Sequence, residues 1–89
     1  MLGLKMRGLP FSIKIQDIKA FFKDYNVLNG SIKIGETVDK VKTGEAALLF
    51  ADEKECTRAF LNRQGQHILH RWVELYQISV GEYLNFDIK

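Results

Sequence analysis

One cysteine, one proline and one tryptophan are present in 89 residues, and the gaps in this chain exclude several classes of protein. A lone thiol, Cys56, forms no internal disulfide, so this is not one of the small secreted scaffolds held by cross-links. Nor can it furnish the paired cysteine loop of a soft-metal carrier. Long apolar runs are also missing: the longest, Ala46–Ala51, falls far short of the ~20 residues that span a bilayer. The first residues show no succession of basic, apolar and small segments, so neither a secretory leader nor a membrane partner is expected. Gly3, Gly8, Gly30, Gly35 and Gly44 are scattered singly, where they punctuate strands and turns rather than build a phosphate-cradling loop. Linkers, internal repeats and low-complexity segments are likewise missing.

What remains is 46% hydrophobic and 27% charged, the balance of an ordinary globular domain. A chain of this size fits one domain over residues 1–89 and buries roughly 60–65% of the surface its unfolded form exposes. Its net charge of +2 and pI of 8.8 permit a nucleic-acid partner without requiring one.

Periodicity divides the chain. Leu4, Met6 and Leu9 alternate with Lys5 and Arg7, predicting a first strand that Gly8 and Pro10 end. Ile15, Ile18 and Phe22, with Phe21 beside them, form the stripe of a helix over Ile15–Tyr25, whose start Ser12 or Asp17 caps. Asn29-Gly30 turns the chain into a second strand, Ser31–Ile34, with Ile32 and Ile34 inward. A polar loop, Gly35–Thr43, then leads into a third strand, Glu45–Phe50, that buries Ala46, Leu48 and Phe50. Asp52 and Glu55 have the spacing of a capping box, and Cys56, Ala59 and Phe60 line a helix over Glu53–Arg63 that Gly65 closes. Cys56 on that stripe reads as a small core residue in a reducing compartment. Trp72–Tyr76 makes a fourth strand with Val73 and Leu75 inward and Trp72, Glu74 and Tyr76 outward. Ser79 and Glu82 cap a short terminal helix containing Tyr83, Leu84 and Phe86.

This order, βαββαβ, is the ferredoxin-like split βαβ of the α+β class: a four-stranded antiparallel sheet with both helices on one face. The fold hosts many activities, so the site residues must decide. Ser12, Ser31 and Ser79 sit at turn or capping positions and no base accompanies them, so no catalytic residue and no enzyme activity is expected. His67 and His70 lack a carboxylate or thiol at ligand spacing, so neither metal nor cofactor is expected.

Over essentially its whole length the chain resembles the RNA-recognition motif. Thr43–Phe50, laid on the octamer of that family, keeps Gly44, Ala46, Leu48 and Phe50, but Glu45 and Ala47 stand where two stacking rings belong. Lys5 takes the ring position of the first strand. A sheet presenting Lys5, Arg7, Lys33, Glu45, Ala47 and Glu74 lacks the stacking surface, and Lys5 is expected to pair with Glu45 across strands.

Three segments carry a narrower likeness: Arg7-Gly8-Leu9-Pro10-Phe11, Gly44-Glu45-Ala46 and His70-Arg71-Trp72-Val73-Glu74-Leu75-Tyr76. They resemble the quasi-RNA-recognition motifs of the heterogeneous nuclear ribonucleoprotein F/H family. That resemblance implies a nuclear protein of pre-mRNA splicing or processing that holds single-stranded guanine tracts in loops. Carried over, the RNA-binding residues are Arg7, Phe11, Arg71 and Trp72, with Lys40 and Lys42 in the basic loop. Two positions depart from the family: Phe11 stands where tryptophan is common, and Val41 where the loop arginine falls.

Simpler roles stand beside these. Phe11 would equally cover the end of the first helix, and Trp72 would pack against Tyr83–Phe86. The rival function is a protein-docking module of a ribonucleoprotein, using the helices or Tyr76 and Leu49. Either way the domain is expected to be a monomer and a part of a longer protein.

Overall fold

A computed structural model describes residues 1–86; the last three residues of the expected domain lie outside that range. Its strands are β1 (Gly3–Arg7), β2 (Lys33–Glu36), β3 (Lys42–Leu49), β4 (His67–Ile68), β5 (Arg71–Trp72) and β6 (Glu74–Ile78), and its helices are α1 (Ile15–Phe21), α2 (Glu53–Arg63) and α3 (Val80–Leu84). The main sheet is antiparallel in the order β2-β3-β1-β6, and β4 and β5 form a separate two-stranded ribbon. This is the ferredoxin-like arrangement expected, with the additional ribbon.

Alternation sorts the sheet into two faces. Leu4, Met6, Ala46, Leu48 and Leu75 meet Ile18 of α1, Phe22 just past its end, and Cys56 and Ala59 of α2 in the main core. The Phe22 ring stands edge-on to Phe50 at 5.6 Å, a favoured aromatic geometry. Cys56 is fully buried, its Sγ donating to the Gly3 carbonyl at 3.4 Å. Removal from water raises its thiol pKa, in keeping with a core residue.

α2 keeps its expected bounds because Asp52 accepts from the Glu55 N–H at 2.8 Å and Gly65 leaves the helix at φ +74°. α1 is shorter than its stripe predicted. It ends at Phe21, and the chain reaches Tyr25 through turns. Arg63 of α2 takes the Phe21 carbonyl and Arg58 the Asp24 carbonyl, at 3.1 Å each, which satisfies oxygens a longer helix would have used. Asp17, not Ser12, caps the start by accepting from the Lys14 N–H. Ile15 is 45% exposed, because Ile13, turned inward by its N–H bond to the Pro10 carbonyl, already fills the core there.

The loop between β2 and β3 is tighter than its polar composition suggested: both strands run into it, leaving Thr37–Val41 as the turn. The fourth strand also departs from expectation. Val73 bonds back to Gly65 and Gln66 rather than to β1, so only Glu74–Ile78 joins the main sheet. Arg71 and Trp72 pair instead with Ile68 and His67 across a two-residue turn, in which Leu69 takes φ 55°.

α3 adds a second layer on the outer sheet face. Ser79 and Glu82 cap it reciprocally, at 3.0 and 3.1 Å. Tyr83, 7% exposed, packs with Ala47 and Ile78, joined by Leu49 and Phe86. Its hydroxyl donates to the Ser31 carbonyl, and Lys33 Nζ lies 4.2 Å from its ring centroid.

Candidate nucleic-acid interface

The outer sheet face is ordered in rows by strand register. Gly3 lies between Leu49 and Ile78, Lys5 between Ala47 and Tyr76, and Arg7 between Glu45 and Glu74. The expected Lys5–Glu45 pair therefore does not form. Lys5 faces Ala47 and stands 5.8 Å from the Tyr76 ring centroid, while Arg7 Nε meets Glu45 Oε2 at 3.5 Å. Tyr76 is a ring that the list of outward charges left aside, and its hydroxyl donates to Glu74 at 3.0 Å. With α3 seated on Ala47 and Leu49, the centre of the sheet is filled by the chain itself.

Chain direction places the three motif segments together. β1 ends at Arg7 opposite Glu45, near the start of β3, and opposite Glu74, at the start of β6. The loop after β1, the β2–β3 turn and the β4–β5 ribbon thus share one end of the sheet. Glycine makes the approach close. A Cβ on Gly8, at φ +86°, would lie 2.8 Å from the Trp72 carbonyl oxygen, and one on Gly44, at φ +83°, 3.3 Å from the Leu9 carbonyl oxygen. The Leu9 N–H donates to the Gly44 carbonyl at 3.0 Å, which ties the first segment to the second.

Leu9 and Pro10 are buried while Phe11, next along the chain, is 72% exposed. Two anchors beneath a bare ring leave Phe11 presented to solvent, not laid over the helix end. Trp72 is 68% exposed and does not pack on Tyr83–Phe86. It stacks on its cross-strand partner His67, ring centroids 3.8 Å apart and planes tilted by 38°. Sequence reading passed over His67 as a companion of Trp72, since only the ribbon's register makes them neighbours.

The cations divide in role. Arg71 is exposed on β5, beside Trp72. Lys40 is exposed at the tip of the β2–β3 turn, at φ 64°, its N–H bonded to the Thr37 carbonyl at 2.9 Å. Lys42 is drawn inward, and its Nζ donates to the Ile13 carbonyl at 2.6 Å, bracing the loop that carries Phe11. The site thus has two bare rings, Arg7 and Arg71 alongside, and Lys40 at its margin. Among the described residues no group of three His, Cys, Asp or Glu side chains gathers as a metal site would.

A sheet in this order over two helices, with its outer centre covered by α3 and bare rings at its loop end, is a variant of the RNA-recognition fold. The family model of the RRM domain matches residues 4–86, and the chain belongs to that family. Within it the chain is of the quasi-RNA-recognition type found in heterogeneous nuclear ribonucleoproteins F and H. It is 33% identical over 73 residues to RNA-binding protein 12 of Pongo abelii, covering 82% of this chain and 8% of that protein. To heterogeneous nuclear ribonucleoprotein H of Homo sapiens it is 29% identical over 79 residues, covering 89% of this chain and 17% of the relative. The chain therefore spans less than a fifth of either relative. Among solved structures, the Glorund qRRM2 domain superposes with a TM-score of 0.86 at 28% identity, covering 96% of this chain and 97% of that one.

Proposed function

We propose that this domain binds single-stranded RNA, with a preference for guanine-rich tracts, through the loop end of its sheet. One observation carries the reading: Phe11 and Trp72, two large rings more than two-thirds bare, stand on segments held together by the Gly8–Trp72 approach. Rings left in water at one rim, each beside an arginine or a short step from one, suit base stacking, worth about 1–3 kcal/mol per base. Arg7 and Arg71 supply planar guanidinium groups that reach phosphate oxygens or the O6 and N7 edge of guanine. Lys40 contributes a point charge that positions the backbone without reading a base. Lys42 acts as a strut for the Phe11 loop.

The guanine preference and a place in nuclear pre-mRNA splicing or processing rest on the likeness to the F/H ribonucleoproteins. The domain acts by holding its ligand as a monomer and carries out no chemistry. Titration of the isotopically labelled domain with G-tract, A-tract and U-tract RNA, following backbone amides and the Trp72 indole, tests this. Saturable shifts over Arg7–Phe11, Lys40–Gly44 and Arg71–Trp72, largest with the G-tract, are expected. Silence at all three segments overturns the reading in favour of a protein-docking role.

A further inference from the structure

We propose that His67 belongs to the ligand surface: with Trp72 it forms a two-ring platform that closes one face of the indole and leaves the other for a single base. The inference rests on the RNA-binding reading above. His67 and Trp72 occupy directly paired positions in the β4–β5 ribbon, with centroids 3.8 Å apart. Both side chains are exposed, so the stack buries little and is not core packing. Cross-strand ring pairs of this kind hold each other's rotamers.

The ribbon is otherwise slight, two residues per strand about a turn with Leu69 at φ 55°. A lone indole on such a ribbon would sample several orientations, and each would have to be frozen out when a base binds. The imidazole does this in advance. It also shields the face toward β4, so a base cannot slide between Trp72 and the ribbon. Binding is thereby limited to one base on the far face, the side away from β4.

The test uses the whole domain and short G-tract RNA. His67→Ala is expected to weaken binding roughly two- to tenfold, the range that aromatic pairing energies correspond to. His67→Phe, which keeps a ring, should bind close to the parent. His67→Thr, a good strand former without a ring, should bind as weakly as His67→Ala. Trp72 is the sole tryptophan, so its emission reports the contact: loss of the imidazole should change it in the Ala and Thr variants before RNA is added.

Recovery of binding in His67→Thr would overturn the platform, because strand propensity alone would then explain the histidine. Parent-like affinity in His67→Ala while Trp72→Ala loses binding would also overturn it, leaving the loop site standing. Parent-like affinity in Trp72→Ala as well would instead bring down the loop site itself.

Discussion

Gly8→Ala tests the joint on which the site depends. Two penalties apply at that position. The backbone sits at φ +86°, which a side chain resists, and the new Cβ would come within 2.8 Å of the Trp72 carbonyl oxygen, a backbone atom with no rotamer to change. Gly30 provides the control, since it has φ +77° but open space where its Cβ would stand. Left-handed backbone costs an L-residue about 1–2 kcal/mol, partly offset by the reduced freedom of the unfolded chain, so Gly30→Ala should lose about 1 kcal/mol. Overpacking adds about 1–3 kcal/mol, which puts Gly8→Ala at about 2–4 kcal/mol.

Urea unfolding measures both, as a lower midpoint at unchanged slope. The same variants separate stability from binding. Gly30 precedes β2, at the end of that strand away from the candidate site, so Gly30→Ala should hold RNA as the parent does. Gly8→Ala should displace the Trp72 segment from the Phe11 loop and weaken RNA binding even where the protein is fully folded. Equal loss of stability in the two variants, or unchanged affinity in folded Gly8→Ala, would refute the claim that this contact assembles the site.

Other perturbations probe the remaining parts. Phe11→Ala and Trp72→Ala should each weaken RNA binding by about 1–3 kcal/mol, while melting temperatures stay near the parent's because both rings are largely bare. Glu45→Gln removes the carboxylate 3.5 Å from Arg7, and should raise RNA affinity about two- to fivefold at low salt, less at high salt, with little change in stability. Glu82 is a pH probe of the α3 cap: bonds from the Ser79 backbone N–H and then its hydroxyl hold its pKa below the ordinary 4.5. A lowered folded pKa means the contribution is present above 4.5 and is lost as pH falls through the lower folded value. The stability difference between the parent and Glu82→Gln, read from urea midpoints, should therefore shrink as pH falls below 4.5, and a difference that stays constant across that range would refute the role given to the cap.

Much of the fold was legible because long elements repeat their signal. The eleven residues of α2 carry a stripe, a cap and a closing glycine that agree, and β1 alternates Leu4 and Met6 inward with Lys5 and Arg7 outward. Face was easier to read than register. Lys5 and Glu45 do share the outer face, but the true partner of Glu45 is Arg7, two residues along. A slip of two preserves the face and changes every neighbour, since side-chain direction repeats with period two. The β4–β5 ribbon was illegible because strands of two residues contain no period. Its stack of His67 on Trp72 follows from pairing alone. The bareness of Phe11 was equally hidden, since Leu9, Pro10 and Phe11 are all apolar and only the packed chain shows which two are anchors.

The position of the site follows from how the outer sheet face is used. On a stacking sheet the central positions of β1 and β3 must hold rings, whereas here they are Lys5 and Ala47. The small Ala47 leaves room for α3, and Tyr83 occupies it, held by the Ser31 carbonyl and Lys33. A Cβ on Gly35 would collide with Thr43 Oγ1 and lie 3.2 Å from the Glu45 carbonyl oxygen, with Phe86 next at 3.3 Å, so glycine in β2 first lets β3 approach and then leaves room for Phe86. Removing α3 would uncover Ala47, Leu49 and Ile78, an aliphatic strip, not a set of π-faces. The helix is thus held in place by its own aliphatic and aromatic neighbours. It completes the core on that side and leaves the rim, where Gly8 and Gly44 let three segments meet, to present Phe11 and Trp72.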